Sequence, residues 1–281
     1  MQPVLSIALV TRNRPDSLKR TLESLKNQEV YPFEIVISDD SDNLVLKQRN
    51  ILLAKQYGCI YVEGPQKGLY ANRNFVAKNC CGTHIRTMDD DHEFPKNHIR
   101  ECIKAIELEP ETIWTIGEYY PKDKDKPIPS PVAGQLHPRG FAYVPKNMND
   151  YYGISCGGTI YPKNVIERNI LNCEYYKFGM MFLEYGARLK KIGYVIKPLR
   201  STYLIHHAEQ TAATELPKQI INEARLFSML CLSFWHFPTF GNKVKTSCQI
   251  LYELIVRRYP FSILRNAYKI FKKYRYEMVS L

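Results

Sequence analysis

Short apolar runs alternate with amphipathic segments over the first 120 residues. The apolar runs, rich in β-branched residues, predict four strands, at residues 4–11, 33–38, 59–63 and 84–88. Three helices are predicted to follow the first three strands, one beginning at Pro15 and the others at residues 44–57 and 69–79. In the first helix Leu18, Leu22 and Leu25 share one face. Such strand–helix alternation is typical of βαβ units, so the predicted fold class is α/β with a mostly parallel central sheet flanked by helices.

Polar side chains stand where three of the predicted strands end. Thr11 follows the first strand, Asp39 and Asp40 the second, and the run Asp89–Asp91 the fourth. Ligands of parallel sheets bind beyond these carboxyl ends. Adjacent carboxylates repel one another unless a cation or a basic partner is present, and their oxygens suit Mg²⁺ or Mn²⁺ bridging to phosphate. The pattern therefore indicates a metal–phosphate site, with a solvated acidic loop as the alternative.

The second half of the chain is less regular. Residues 121–149 hold six prolines and alternating Lys and Asp, which predicts a long irregular loop acting as a lid or binding segment. A glycine pair, Gly157–Gly158, leads into a strand, either for close backbone approach to a ligand or as a plain turn. A helix is predicted over 182–192, ending at Gly193, and two strands at 194–196 and 202–205.

The C-terminal segment, from about residue 216, is helical in pattern, aromatic and basic. From Gln219 onward ten Lys and Arg face three acids, so this segment carries 10 − 3 = +7 of the net charge of +11. Within 263–273 apolar residues recur at helical spacing opposite basic ones, which predicts an amphipathic helix lying on an anionic membrane. The alternative is a helical cap packed on the core with a wet basic face. Nucleic acid is not the expected partner.

Cysteine usage and hydropathy bear on the compartment. The eight cysteines show no regular spacing, which favours a reducing cytoplasm. No run of 18 or more apolar residues occurs, so no conventional transmembrane helix is expected. Together with the basic tail, these features predict a cytoplasmic protein at the inner face of the membrane.

Several segments, in order, resemble family 2 glycosyltransferases, the inverting nucleotide-sugar enzymes of the GT-A fold. These are Ser6–Arg14, Glu34–Ser41, Lys67–Asn74, the acidic run at the position of the DxD motif, Gly157–Thr159 and Arg188–Tyr194. The resemblance covers about residues 4–210. It implies a glycosyltransferase domain over 1–215, with a nucleotide-binding half (1–120) and an acceptor-side half (121–215), followed by a helical, basic tail at 216–281.

The resemblance also implies roles for individual residues. Nucleotide contacts are expected from Thr11, Arg12, Asp39, Asp40, Arg73, Asp89 and Asp90. Metal ligands are expected from Asp89, Asp91 and the histidine pair His206–His207, with the register of the aspartates left open between two possibilities. Gly157 and Gly158 are expected beside the donor or acceptor sugar. The implied cofactor is Mn²⁺ or Mg²⁺.

The sequence departs from the family where the catalytic base is expected. The family has Glu-Asp seven and six residues before the arginine matched by Arg188, where this chain has Met181 and Phe182. Glu184, one helical turn on, is the candidate base. Glu174 and Glu118 are possible substitutes.

The implied activity is transfer of a sugar, expected from a UDP-sugar, to a hydroxyl of a glycan or lipid-linked acceptor in cell-surface polysaccharide or glycolipid synthesis. The missing acids leave a second possibility, a catalytically degenerate nucleotide-binding module held at the membrane by its tail. An isoprenoid synthase is disfavoured because those enzymes are all-helical with two acidic motifs. A sugar nucleotidyltransferase is disfavoured because its Gly-rich opening is missing after the first strand.

Overall fold

The central element is a twisted, mostly parallel β-sheet. The structure is a computed structural model that describes residues 4–121, 131–207 and 217–279. Within these residues seven strands form the sheet, in the order β11-β6-β10-β4-β1-β2-β3. They are β1 (Leu5–Thr11), β2 (Glu34–Asp39), β3 (Ile60–Glu63), β4 (His84–Asp89), β6 (Ile113–Thr115), β10 (Thr159–Pro162) and β11 (Ile196–Pro198). Only β10 runs antiparallel to its described neighbours. The predicted α/β class is confirmed.

The strand order reverses at β1. The chain passes outward from β1 to β2 and β3, then returns to place β4 on the other side of β1. All of β1 is buried, as expected for a central parallel strand covered on both faces. The loops after β1 and β4 leave the sheet side by side at this reversal, where α/β sheets bind ligands.

Helices cover both faces of the sheet. They are α1 (Pro15–Lys26), α2 (Leu44–Gln56), α3 (Leu69–Lys78), α4 (His98–Leu108), α5 (Lys163–Glu167) and α6 (Met181–Lys191). Pro15 stands at the first turn of α1, whose leucine face is buried as predicted. Asn43 caps α2 by accepting from the backbone N–H groups of Val45 and Leu46. The predicted end of α6 at Gly193 is also found, with φ of +103° there.

Two smaller sheets complete the fold. Strands β5 (His92–Glu93), β12 (Leu204–His206) and β7 (Glu118–Tyr119) form one sheet, with β12 in the middle. Strands β8 (Gln135–Leu136) and β9 (Ala142–Tyr143) form a hairpin within the segment predicted to be irregular. That hairpin is ordered because Tyr152 binds it through its backbone N–H and its hydroxyl. Residues 122–130 of the predicted lid lie outside the described residues.

The C-terminal segment forms three helices, α7 (Lys218–Cys231), α8 (Phe240–Ile255) and α9 (Phe261–Val279), with a π-helical turn at Leu232–His236 before α8. The apolar face of α9 is buried in a hydrophobic cluster with α7, including Ile263, Ala267 and Phe271. The prediction that this face turns toward a membrane is therefore wrong, because the face packs on the protein, and Arg265, Lys269, Lys272 and Lys273 lie on the exposed side of the helix. In the described residues no helix combines the length and apolar character needed to cross a bilayer.

Candidate metal and nucleotide site

The ends of β1 and β4 meet in a buried polar cluster. The Thr11 hydroxyl donates to Asp90 Oδ2 at 2.6 Å, which joins the two strand ends directly. From α1, Thr21 Oγ1 lies 2.8 Å from the Asp90 carbonyl oxygen and 2.7 Å from that of His92. Asp90 is fully buried. The turn after β4 is thus held in place by side chains from the first strand and the first helix.

The three aspartates have different partners. Asp89 accepts from Arg73 Nη2, at 2.5 Å to Oδ1 and 2.6 Å to Oδ2. Asp90 forms an ion pair with Arg14, and a second nitrogen of the same guanidinium lies 3.2 Å from Asp91 Oδ2. Two arginines therefore offset the repulsion among the carboxylates. Arg14 was not among the predicted site residues; its place beside Asp90 depends on the pairing of β1 with β4.

Burial and charge act against each other in this cluster. Burial raises the pKa of Asp90, and Arg14 offsets only part of that rise. Burial also opposes ionisation of Asp91, but a hydrogen bond from His206 and neighbouring positive charge lower its pKa below the usual range. For His206, burial disfavours the charged form, yet Asp91 and Glu118 raise its pKa to about 10. The cluster thus favours a positive charge beside Asp91.

A metal ion could bind at Asp91, His92 and His206. One ligand atom from each lies within 4.8 Å of the others. Both ring nitrogens of His92 and Oδ1 of Asp91 are buried without a hydrogen-bond partner among the described residues. Buried polar atoms normally have partners, so these atoms fit a bound cation. Two imidazoles suit a transition-metal ion better than Mg²⁺, which prefers oxygen ligands.

The small sheet brings the two histidines together. His206 on β12 lies directly opposite His92 on β5, and their rings meet edge to face with centroids 4.9 Å apart. Glu118, on the neighbouring strand β7, places Oε2 3.0 Å from His206 Nδ1 and accepts from the Tyr120 hydroxyl at 2.9 Å. The other nitrogen of His206 lies 3.6 Å from Asp91 Oδ2. Glu118 is thus engaged in orienting His206, as carboxylates behind metal-binding histidines do.

His207 points away from this cluster. Its Nε2 lies 2.8 Å from Glu93 Oε2, and only its backbone N–H reaches Asp91, at the carbonyl oxygen. Of the two histidines proposed from the sequence, the structure brings His206 together with Asp91. It adds His92, which was not among the predicted ligands.

The two aspartates after β2 have different surroundings. The Asp39 carboxylate accepts from the backbone N–H of Ser41 at 2.8 Å, from Asn50 at 2.9 Å and from the Tyr61 hydroxyl at 3.0 Å. With both oxygens bonded inside the protein, it is not available to a nucleotide in this conformation. Asp40 accepts from the Gln66 N–H at 2.8 Å, and burial raises its pKa.

Two arginines predicted to bind the nucleotide have protein partners. Arg12 is half-exposed and paired with Asp42 at 2.9 Å. Arg73 is buried between Asp89 and Cys156, whose Sγ lies 2.9 Å from Nη1. The guanidinium of Arg12 is therefore open to a ligand, whereas that of Arg73 fixes Asp89.

Gly157 packs against His92 of the candidate metal site, and Gly158 packs against Leu204 of β12. A Cβ on Gly157 would overlap His92 Cε1, and one on Gly158 would lie 2.5 Å from Leu204 Cδ1 and 2.6 Å from Ser155 Oγ. The glycines were predicted to allow approach of a sugar; this packing already requires them.

The buried position of Glu184 does not suit a catalytic base. It is fully buried in α6, with Oε1 3.3 Å from Arg188 Nε and 2.7 Å from His236 Nε2. An acceptor hydroxyl cannot reach it in this conformation, so the predicted role does not fit the structure. Glu174, a possible substitute, is exposed and accepts from Asn74 at 2.7 Å.

The protein is thus of the α/β class, with a buried acid–histidine site at the reversal of its sheet. The family model described as Glycosyl transferase family 2 matches residues 6–169, more than half of the chain. The chain belongs to this family, and the resemblance seen in the sequence is confirmed.

Similarity to individual proteins agrees with this assignment. The chain is 29% identical over 170 residues to "Uncharacterized glycosyltransferase YwdF" of Bacillus subtilis (strain 168), covering 60% of this chain and 60% of that relative's length. Its fold is similar to S. aureus TarS 1–349 in complex with UDP-GlcNAc (TM-score 0.64, 15% identity, 89% of this chain, 72% of that chain). It is also similar to GalNAc-T7 with UDP, GalNAc and Mn²⁺ (TM-score 0.64, 14% identity, 81% of this chain, 47% of that chain). The fold is the GT-A fold.

Proposed function

We propose that this chain is a metal-dependent inverting glycosyltransferase that moves a sugar from a UDP-sugar to a hydroxyl acceptor. The observation that carries the proposal is the cluster of Asp91, His92 and His206, with unpartnered buried ligand atoms, in a family 2 chain. Two proteins of similar fold were solved with UDP or a UDP-sugar, which supports this choice of donor.

The site residues are proposed to have different roles in donor binding. Asp91, His92 and His206 would hold a divalent ion. We favour Mn²⁺ because the two imidazoles disfavour Mg²⁺ and the GalNAc-T7 structure of similar fold contains Mn²⁺. Bound there, the ion would supply charge that stabilises the diphosphate leaving group. Asp40 and the half-exposed Arg12 are proposed to contact the nucleoside. Thr11 and Arg14 would hold Asp90 and the turn after β4 in position.

The acceptor is proposed to be a glycan or a lipid-linked sugar, with transfer at the inner face of the membrane. Inversion requires a base that removes the acceptor proton as the hydroxyl attacks the anomeric carbon. Glu184 could serve only after leaving its buried pair with Arg188 and His236.

A second candidate function is nucleotide-sugar binding without turnover. The enclosure of Glu184, together with Met181 and Phe182 at the family's acidic positions, favours this possibility. The two candidates differ in one measurable property, the release of UDP from a bound donor.

The test is UDP release from UDP-sugars by the full chain, with Mn²⁺, with Mg²⁺ and with chelator. We expect slow release that requires the metal and is lost in Asp91→Ala. An exposed acid outside the site, Glu167→Ala, is the matched control and should retain activity. Tight UDP binding with no release from any donor would favour the binding module, and metal-independent release would contradict the proposed site.

A further inference from the structure

The residues of helix α8 that are fully buried are polar. Thr246 Oγ1 lies 2.7 Å from Ser233 Oγ and 2.7 Å from the Pro138 carbonyl oxygen. Two turns further along, Glu253 is buried and forms an ion pair with Arg225 at 2.7 Å, beside the partly buried Ile250. A helix on a protein surface normally buries apolar side chains and turns polar ones to water, so a buried Thr and Glu are unusual there.

The opposite side of α8 is apolar and exposed. Phe240, Val244, Leu251 and Ile255, which we call the outer face of α8, are 83%, 42%, 54% and 71% exposed. At 3.6 residues per turn, their mean direction lies about 160° from that of Thr246 and Glu253. Exposed Ser247 lies on the same side, between Val244 and Leu251. Exposed apolar side chains grouped on one side of a helix mark an interaction site.

The apolar surface continues past the end of α8. Val256 and Phe261, at the junction with α9, are also exposed. No described part of the chain covers these side chains. Among the described residues, this surface is therefore open to a partner.

The charges around the outer face are positive. Lys243 and Lys245 are exposed and lie about 100° to either side of it around the helix. Arg257 and Arg258 are exposed just beyond its end. Between Phe240 and Tyr276 the sole acid in the sequence is Glu253, which faces inward. Pairing with a second copy of this face would bring like charges together, whereas an anionic surface complements it.

We propose that the outer face of α8 inserts into the interface of an anionic lipid bilayer. Its apolar side chains would enter the headgroup–acyl boundary, with the flanking lysines and the two arginines at the phosphates. The site is distinct from the α9 face predicted from the sequence, and it does not depend on the transfer chemistry.

The test is flotation of the full chain with vesicles of phosphatidylcholine alone or mixed with phosphatidylglycerol. We expect binding to the mixed vesicles, and at least about tenfold weaker partitioning for Phe240→Gln/Leu251→Gln/Ile255→Gln because three apolar insertions are lost. The matched control, Leu44→Gln/Leu108→Gln, removes apolar groups of similar exposure elsewhere and should bind like the wild type.

Two further measurements test whether the binding is electrostatic in part and whether it is independent of the transfer activity. Lys243→Gln/Lys245→Gln should reduce binding to the mixed vesicles and make it less sensitive to salt. UDP release without vesicles should be unchanged in every variant, which separates this proposal from the proposed function. No binding by the wild type, equal binding by the triple variant, or a solution dimer that the triple variant abolishes would overturn the proposal.

Discussion

Glu118→Gln tests whether Glu118, in the sheet of β5, β12 and β7, orients the His206 ring for binding a metal ion. Glu118 Oε2 lies 3.0 Å from His206 Nδ1, which leaves the other ring nitrogen directed at Asp91. The amide keeps the size of the side chain but removes its charge. The substitution therefore weakens the hydrogen bond that orients the His206 ring and lowers the basicity of its imidazole. It opens no cavity.

The expected loss follows from the position of Glu118 behind a metal ligand. Changing such a residue typically costs tenfold to a hundredfold in metal affinity, or about 1.4–2.7 kcal/mol. The matched control is Tyr120→Phe, which removes only the hydrogen bond that the Tyr120 hydroxyl donates to the Glu118 carboxylate at 2.9 Å. Since the charge of Glu118 and its contact with His206 remain, that change should lower Mn²⁺ affinity by less than Glu118→Gln does.

The assay is a calorimetric titration of Mn²⁺ into the protein saturated with UDP, with UDP release measured over a range of Mn²⁺ concentrations. In Glu118→Gln we expect weaker Mn²⁺ binding and activity that recovers at high Mn²⁺. Unchanged Mn²⁺ affinity would refute the reasoning. Activity lost at every Mn²⁺ concentration would instead indicate that Glu118 acts on the substrate.

Three other changes test separate parts of the structure. Glu184→Ala leaves the buried guanidinium of Arg188 without its carboxylate partner and removes the hydrogen-bond partner of His236. The free energy of unfolding should fall by about 3–5 kcal/mol in denaturant titrations, whereas exposed Glu167→Ala should have little effect. Lost activity at unchanged stability would support Glu184 as the base. Gly157→Ala places a Cβ against the His92 ring and should weaken Mn²⁺ binding measured by calorimetry. The control Gly241→Ala, where the added Cβ meets no atom within 4 Å, should leave Mn²⁺ affinity unchanged. Equal Mn²⁺ affinity in the two variants would contradict the inference that Gly157 packs against a metal ligand. Asp39→Ala removes the acceptor of several buried hydrogen bonds and should lower Tm, because each buried donor left unpaired costs about 1–3 kcal/mol of stability. A lower UDP affinity at unchanged Tm would instead mean that Asp39 contacts the nucleotide.

The first half of the fold could be predicted because its local patterns agree with its tertiary structure. The strand ending at Thr11 and the helix beginning at Pro15 show this, with bounds within a residue of those observed. The C-terminal helices were harder, because periodicity shows that a helix has two faces without showing which one the protein covers. In α8 the covered face includes the polar residues Thr246 and Glu253, because Arg225 of α7 pairs with Glu253 there.

The candidate site was predictable in part for the same reason. The aspartates after β4 are visible in the sequence as a strand end, and their position at the sheet reversal follows from the βαβ order. His92 was not assigned because its role depends on a turn that places it opposite His206, more than a hundred residues later. The enclosure of Glu184 was not predictable, because helical spacing gives the direction of its side chain from the helix axis but not its contact with His236, 52 residues later.

The central claim is that Asp91, His92 and His206 hold a divalent ion for a nucleotide diphosphate. The most direct measurement is UDP affinity by calorimetry, with Mn²⁺ and with chelator, for the wild type and for His92→Ala. We predict that Mn²⁺ tightens UDP binding by at least about tenfold in the wild type and much less in the variant. UDP affinity that is the same with and without Mn²⁺, or the same Mn²⁺ dependence in His92→Ala, would contradict the claim.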